Sequence, residues 1–527
     1  MATAGEPPGP SPRLDRRRFL RYGGAAGAAV VLGPLASACG GPGRSPPSTS
    51  TSVPPGADPP WSSLAGSMSG RLVLPGDSAY GVAAQLYNER FDDARPAAIA
   101  FCADPVDVQR TLSFARTWGV PLAVRSGGHS YGGYSVGPGV VVGVTAMASV
   151  EVTGPAARVG AGTRLVDLYS TLASTGLTVP GGSCPTVGIA GLALGGGIGV
   201  LGRKFGLTAD NLRSLQMVTP DSRLVTCSPT AHEDLFWASR GGGGGNFGVV
   251  TSFEFSVHPV PDVALFTLEW PWAAAPDVLG AWQLWIGQAP TELWSNCQLL
   301  SQGAAGPLVK VTGVFCGDAG ALDAALAPLV RTAGSPSYRF AGPEAFPKAM
   351  LVEAGCEGLT VEQCRLPAQG PAGALERSRF AAKSLVVDEP LPSPAAAAVL
   401  AAVEGFQAQA PGLGGAVVFD ACGGAIAEVP SAATAFVHRR ALAIVQMAVS
   451  WSAPAPGPTP AGTAGWLAQL GADLAPHATG AYQNYVDPTL DDWATAYYGA
   501  NLPRLRRIKR AVDPDDVFRF AQSIPPA

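Results

Sequence analysis

Hydrophobic and polar positions fall into two textures along the chain. From Ala97 onward, short apolar runs alternate with stretches of helical period. Ala98-Ile99-Ala100-Phe101 is an apolar run of strand length. Asp104 then offers an N-cap and Pro105 a first-turn residue. Val108, Leu112 and Ala115 follow at helical spacing, so a helix is predicted. Pro121 to Val124 and Val140 to Val144 read as strands, and Arg164 to Ser174 as a helix with Leu165, Leu168 and Leu172 on one face. Leu215 to Val218 and Arg223 to Thr226 flank Pro220-Asp221 as a hairpin, and Val249 to Val257 is a further strand. From Pro261 to about Gly480 the strand-like runs Leu265 to Trp270, Leu308 to Phe315 and Ala443 to Trp451 alternate with Ala-rich helical stretches. A last helix is predicted from about Pro503. The pattern predicts an α+β fold: one unit over 71–260, a second over 261–479 with a mainly antiparallel sheet covered by helices, and a closing segment over 480–527. Tryptophans gather in the second unit, among them Trp270, Trp282, Trp285, Trp294 and Trp451, and offer surfaces for stacking a sugar or an aromatic ring.

The first 60 residues break this pattern. Arg16-Arg17-Arg18-Phe19-Leu20-Arg21 resembles a twin-arginine export signal. The Ala- and Gly-rich run from Tyr22 to Leu35 is too short for a membrane span, which needs about 20 apolar residues. Residues 1–39 therefore read as a signal segment and 40–70 as a Gly/Pro/Ser/Thr-rich linker. Two processing readings compete: a small-x-small peptidase site at Ala36-Ser37-Ala38, or a lipid-modified N-terminus at Cys39 that anchors the protein to a membrane. Both place the mature chain outside the cytoplasm, extracellular or at the cell surface. The twin-arginine route carries folded proteins, often with a cofactor already inserted.

Composition narrows the class. The chain has 527 residues, 47% hydrophobic and 14% charged, so it is globular rather than disordered. Its formal net charge is −4 and no basic stripe is visible, which argues against a nucleic-acid partner. Of the nine cysteines, Cys356 and Cys364 lie close enough in sequence to pair. No CxxC or His/Cys cluster points to a metal site.

Three glycine-rich loops carry the chemistry. In Arg125-Ser126-Gly127-Gly128-His129-Ser130, directly after a strand, the glycines let backbone N–H groups approach an anion, and His129 sits beside whatever binds. Gly181 to Gly188 presents the thiol of Cys184. Gly197-Ile198-Gly199-Val200-Leu201-Gly202 matches GxGxxG, but it follows no plain strand, and a dinucleotide-binding reading of it is rejected. The third loop, Arg240-Gly241 to Asn246-Phe247-Gly248, precedes a strand.

Together with the tail motifs Tyr482-Gln483-Asn484-Tyr485-Val486-Asp487 and Asp513 to Phe518, these loops resemble, in order, the berberine bridge enzyme-like family of FAD-linked oxidases. That family belongs to the vanillyl-alcohol oxidase/p-cresol methylhydroxylase (PCMH) type. The resemblance spans roughly residues 70 to 527. It implies a two-subdomain FAD-binding domain over 71–260, a substrate domain over 261–479, and a C-terminal segment that returns to the FAD domain. It implies FAD bound covalently twice, through the imidazole of His129 to the flavin 8α-carbon and through the sulfur of Cys184 to C6. Arg125, Ser126, Gly127, Gly128, Ser130, Gly133, Gly188, Gly191, Gly195, Gly197, Val249 and Asn484 would complete the cofactor site.

The resemblance also implies a mechanism. Hydride leaves a substrate carbon for the flavin while a base takes the hydroxyl proton. Tyr482 is the expected base, with its pKa lowered by neighbours, Tyr485 its fallback, and Gln446 a residue that faces substrate. The implied activity is oxidation of a hydroxylated small molecule or sugar, with O2 reoxidising the flavin to give H2O2. The alternatives are a dehydrogenase with another acceptor and an inactive binding protein of the same fold. The sequence departs from the family at Ile198, where many bacterial relatives carry an aromatic. His438 and Arg439 read as structural.

Overall fold

The computed structural model describes residues 58–410, 413–451 and 461–527. The export signal, the Cys39 anchor and most of the 40–70 linker lie outside the described residues.

Four strands build the first sheet: β1 (Arg71–Val73), β2 (Ala98–Phe101), β3 (Leu122–Arg125) and β4 (Val140–Gly143), in the order β1-β2-β4-β3. β2, β4 and β3 are parallel, so a crossover must join β2 to β3. Helix α1 (Pro105–Trp118) supplies it. Asp104 Oδ1 accepts from the Asp107 amide at 2.9 Å to start α1, and Gly119 at φ 63° ends it. Val108, Leu112 and Ala115 are buried, as their spacing requires.

An antiparallel sheet follows: β5 (Val150–Thr153), β6 (Ala156–Gly160), β7 (Leu212–Val218), β8 (Leu224–Cys227) and β9 (Val249–Ser256), in the order β5-β6-β9-β7-β8. Between β6 and β7 the chain makes α2 (Leu165–Ala173) and the short α3 (Ile189–Leu194) within the glycine-rich stretch. Helix α4 (Glu233–Ala238) leads into the third glycine loop.

The second unit is one seven-stranded antiparallel sheet with helices interleaved in sequence. Its elements are β10 (Val263–Pro271), α5 (Ala275–Gln288), β11 (Leu293–Ser301), β12 (Pro307–Phe315), α6 (Ala319–Ala333), β13 (Tyr338–Glu344), β14 (Phe380–Val387), α7 (Ser393–Gln409), β15 (Gly414–Ala421), β16 (Ala443–Ser450) and α8 (Ala461–Leu474). The strand order is β13-β10-β12-β11-β15-β16-β14, with every neighbour antiparallel. Side chains alternate across a strand, so one face packs on the helices and the other is left for a cavity. Trp270, Trp282, Trp285, Trp294 and Trp451 are core residues rather than a stacking surface. Trp282 Nε1 donates to Ser295 Oγ at 3.1 Å and Trp285 Nε1 to the Ala325 carbonyl at 2.8 Å, which satisfies the indoles inside the fold. Cys356 and Cys364 form a disulfide in the segment between β13 and β14.

Helix α9 (Leu502–Val512) carries the tail back against the first unit. Lys509 is fully buried, and its ammonium donates to the carbonyls of Asn246 (2.9 Å) and Phe518 (2.7 Å) and to Asp513 Oδ2 (2.8 Å). The Asn246 carboxamide oxygen accepts from the Ile524 amide at 2.9 Å. The tail thus fixes the third glycine loop by hydrogen bonds on both sides of Asn246.

Candidate active site

A cavity of about 1070 Å³ lies between the glycine loops and the open face of the seven-stranded sheet. Its first wall is built from backbone. The loops 126–130 and 182–191 touch directly: a β-carbon on Gly188 would lie 2.1 Å from Ser126 Oγ and 2.4 Å from the Gly127 nitrogen, so only glycine fits this crossing. Ser126 Oγ donates to the Ala161 carbonyl at 2.7 Å, pinning the first loop to the second sheet. Gly191 has nothing within 4 Å of its β-carbon position, and the nearest atom to that of Gly244 is 3.8 Å away. Both leave room for a ligand against bare backbone.

His129 and Cys184 line this wall together. The His129 ring stacks on Tyr87 with centroids 4.1 Å apart, and its Nε2 lies 2.8 Å from Thr186 Oγ1. Desolvation pushes its pKa down to about 3, with the Arg164 charge acting the same way and Thr186 opposing. The imidazole is therefore neutral at any working pH and keeps one nitrogen lone pair for bonding. Cys184 is half-buried and outside any disulfide.

The second wall carries the polar groups. Gln446 on β16 donates through Nε2 to Tyr131 Oη at 2.8 Å. The Tyr131 ring stacks on Tyr485 at 5.3 Å, and Tyr485 meets Tyr482 edge-on at 5.1 Å. Thr267, Gln298 and Thr312 extend the polar lining across β10, β11 and β12. Tyr482 is 1% exposed and borders the cavity. Its oxygen accepts from the amides of Gly197 (3.1 Å) and Ile198 (3.2 Å) and from Asn484 Nδ2 (2.9 Å). Its backbone is held by Ser384 Oγ, which accepts from the Tyr482 amide at 3.0 Å. The expectation of a lowered pKa is corrected here. Burial pushes the phenol up to about 12, and the three N–H donors oppose that without overcoming it.

The cavity brings together His129, Cys184, Ser126, Gly127, Gly128, Ser130, Gly188, Gly191, Asn484, Tyr482, Tyr485 and Gln446. It does not include five of the residues placed there from sequence. Arg125 turns away, and its guanidinium donates to the Ala83 carbonyl at 2.7 Å. Gly133 packs on Phe91, and Gly197 on Thr208. Gly195 is set against Asn484, whose Oδ1 would lie 1.9 Å from a β-carbon there. Val249 has the wrong parity on β9: its neighbours Gly248 and Val250 line the cavity instead. Asn484 serves Tyr482 and the Leu192 carbonyl (3.0 Å) through its amide nitrogen. Sequence reasoning missed Tyr131, Tyr87 and Phe380. Tyr131 stands two positions after His129 in a motif already singled out, and that placement was the available signal.

Residues 96–228 match the FAD binding domain family, and residues 481–525 the family described as berberine and berberine like. The chain is 34% identical over 469 residues to the uncharacterized FAD-linked oxidoreductase YgaK of Bacillus subtilis (strain 168), covering 87% of this chain and 97% of the relative. It is 30% identical over 457 residues to the xylooligosaccharide oxidase of Thermothelomyces thermophilus, covering 82% and 88%. The chain belongs to the berberine bridge enzyme-like family. The solved structure of wild-type Physcomitrella patens BBE-like 1 superposes with a TM-score of 0.80 at 31% identity, covering 88% of this chain and 99% of that one. This berberine bridge enzyme-like chain is an FAD-linked oxidoreductase with the α+β, PCMH-type fold. The residues present fit the cofactor. Ser126 to Ser130, Gly188, Gly191 and the Gly244-Gly245 backbone form a cradle for it, and His129 and Cys184 stand on the same wall.

Proposed function

We propose that the protein is an exported oxidoreductase that takes hydride from a hydroxylated small molecule or sugar onto FAD held covalently by His129 and Cys184, with O2 as final acceptor and H2O2 as product. One observation carries the reading. The neutral His129 and the thiol of Cys184 line the same cavity as Tyr482, Tyr485 and Gln446. Both attachment groups therefore share one chamber with the groups that would handle the substrate's hydroxyl.

Bound FAD supplies the hydride acceptor. The chain's own residues supply the rest. Gln446, fixed by Tyr131, directs polar hydrogen-bonding capacity into the cavity, and Thr267, Gln298 and Thr312 continue it. That lining suits a hydroxylated substrate, as does similarity to a xylooligosaccharide oxidase, whose name also supports O2 as acceptor. Tyr482 takes the hydroxyl proton at Oη. The Cys356–Cys364 disulfide supports export, because such bonds persist in oxidising compartments. Residues 1–39 supply the twin-arginine signal, and anchoring would run through a lipid on Cys39.

The deciding experiment is in-gel flavin fluorescence on denatured wild type, His129→Ala, Cys184→Ala and the double variant. Flavin retained in the first three and lost in the double variant supports two links. Flavin released from denatured wild type overturns the covalent reading. Peroxide formed stoichiometrically with substrate oxidation supports O2 as acceptor, and its absence in air overturns that part. The intact mass of the exported N-terminus separates peptidase cleavage from lipidation.

A further inference from the structure

A neutral phenol has two lone pairs to offer and one proton to give. Tyr482 receives three N–H groups at 2.9–3.2 Å, and no hydrogen bond from its hydroxyl to an acceptor occurs among the described residues. The donor identity of Asn484 is not ambiguous. Its Nδ2 also faces the Leu192 carbonyl at 3.0 Å, which only accepts, so the carboxamide is oriented with nitrogen toward Tyr482. The two amides come from successive residues. Gly197 holds φ +83°, and its carbonyl is fixed by Thr208 through the amide (3.0 Å) and the hydroxyl (3.2 Å). Successive amides turned to one side by a left-handed glycine form an anion-binding nest. The oxygen at its focus is a phenol, not a bound ion.

We propose that Gly197 N, Ile198 N and Asn484 Nδ2 form a three-donor nest that holds the phenolate of Tyr482, the form that takes the substrate's hydroxyl proton. This rests on Tyr482 being the base. In the step, the substrate C–H bond breaks with both electrons leaving as hydride to the flavin. The O–H bond breaks with its proton passing to Tyr482 Oη, and the carbonyl forms between carbon and oxygen. Asn484 is thereby a positioning residue that acts through Tyr482. Ile198 contributes through its backbone although its side chain carries no polar group.

Few titratable groups face Tyr482. The elements packed on it contribute Ile198, Leu207, Val386, Phe436 and Ile444, together with Cys422 and Tyr485. Burial holds the Cys422 thiol protonated, with its pKa up to about 12. Arg439 lies beyond Phe436 and is neutralised by Asp210 at 2.7 Å. Among the described residues no cation touches the phenol, so the amide donors are what favour its charged form.

The test replaces Asn484 with Ala, and separately with Asp, in the flavin-loaded enzyme, and follows kcat/KM against pH. A hydrogen bond to a charged group is worth about one to two pH units. The nest predicts that the acid limb moves up by that amount in Asn484→Ala and further in Asn484→Asp. At fixed pH below the limb, kcat/KM then falls about 10- to 100-fold through kcat, with KM little changed. The second readout needs no turnover: 19F NMR titration of protein carrying 3-fluorotyrosine, with the Tyr482 signal identified by its loss in Tyr482→Phe. It predicts a titration that shifts to higher pH in Asn484→Ala. Lost activity with an unmoved limb and an unmoved 19F titration overturns the nest. If Tyr482→Phe turns over normally, the base assignment falls instead, and the 19F titration still decides the nest. Should Asn484→Ala not fold, Asn484→Asp carries the same comparison.

Discussion

Replacing Lys509 with Met takes the cation away from Asp513 in a fully buried pair, since both side chains are 0% exposed. The ammonium gives its three protons to Asp513, the Asn246 carbonyl and the Phe518 carbonyl. Asp513 keeps the Val517 and Phe518 amides but loses its countercharge, and two carbonyls lose their donor. Breaking a buried pair from one side costs about 3–5 kcal/mol. With about 2.1 cal/mol/K of unfolding entropy per residue, a chain of this size has roughly 1 kcal/mol/K, so the melting temperature should drop about 3–5 °C. The effect reaches the site because Asn246 closes the loop whose Gly244 and Gly245 line the cavity. FAD content should fall in step. The assay is differential scanning fluorimetry with the flavin-to-protein absorbance ratio, on Lys509→Met, Asp513→Asn and the double variant. Removing both charges should restore part of the melting temperature, because the uncompensated Asp513 carboxylate is gone while Asp516, 3.2 Å from the ammonium in wild type, and two carbonyls still lack their donor. A single variant with unchanged melting and full flavin, or a double variant worse than the sum of both, refutes the reasoning.

Four further outcomes follow from the same geometry. Tyr482→Phe should lower kcat by about 10²- to 10⁴-fold with flavin loading intact, read by steady-state kinetics on a turned-over substrate. Because burial holds Tyr482 near 12 and the base must be deprotonated, kcat/KM should rise with pH across the alkaline range, about tenfold per unit until the limb; a flat profile contradicts it. Gly188→Ala drives a β-carbon to 2.1 Å from Ser126 Oγ and should cost about 1–3 kcal/mol and most of the flavin, whereas Gly191→Ala, with open space at its β-carbon, should lose flavin without loss of apoprotein stability. His438 is buried neutral with its pKa lowered to about 4, so the unfolded chain binds one more proton below about 6.5: stability is full above that pH and falls by about 3 kcal/mol as pH drops toward 4, a slope that His438→Gln should remove in urea melts.

The parts legible in sequence were those that needed a special residue type. Asp104 and Pro105 mark a helix start by capping chemistry, and α1 begins there. The crossing of loops 126–130 and 182–191 showed as runs of glycine because the contact tolerates no β-carbon. Alternation alone did not reveal β14 and β15. Phe380–Val387 carries Ala381 and Ala382, and β15 opens on Gly414 and Gly415, so small residues erase the contrast on which a period of two depends. The tryptophans misled for a related reason. Composition shows that a large ring must bury area but not on which face of the sheet.

The cofactor residues that moved share one cause. Arg125, Gly133, Gly195, Gly197 and Val249 all lie in motifs next to the cavity, and a motif fixes a neighbourhood rather than a direction. On β9 the direction alternates at every residue, which puts Val250 on the cavity and Val249 off it. At Gly195 and Gly197 a β-carbon would meet Asn484 and Thr208, so protein contacts alone already require glycine there. Gly197 supplies one of the two amides that meet the Tyr482 oxygen, and Gly195 packs on Asn484, which supplies the third donor. The change of role at Ile198 has the same logic. A family position known for its side chain contributes here through the main-chain N–H, which no substitution except proline removes.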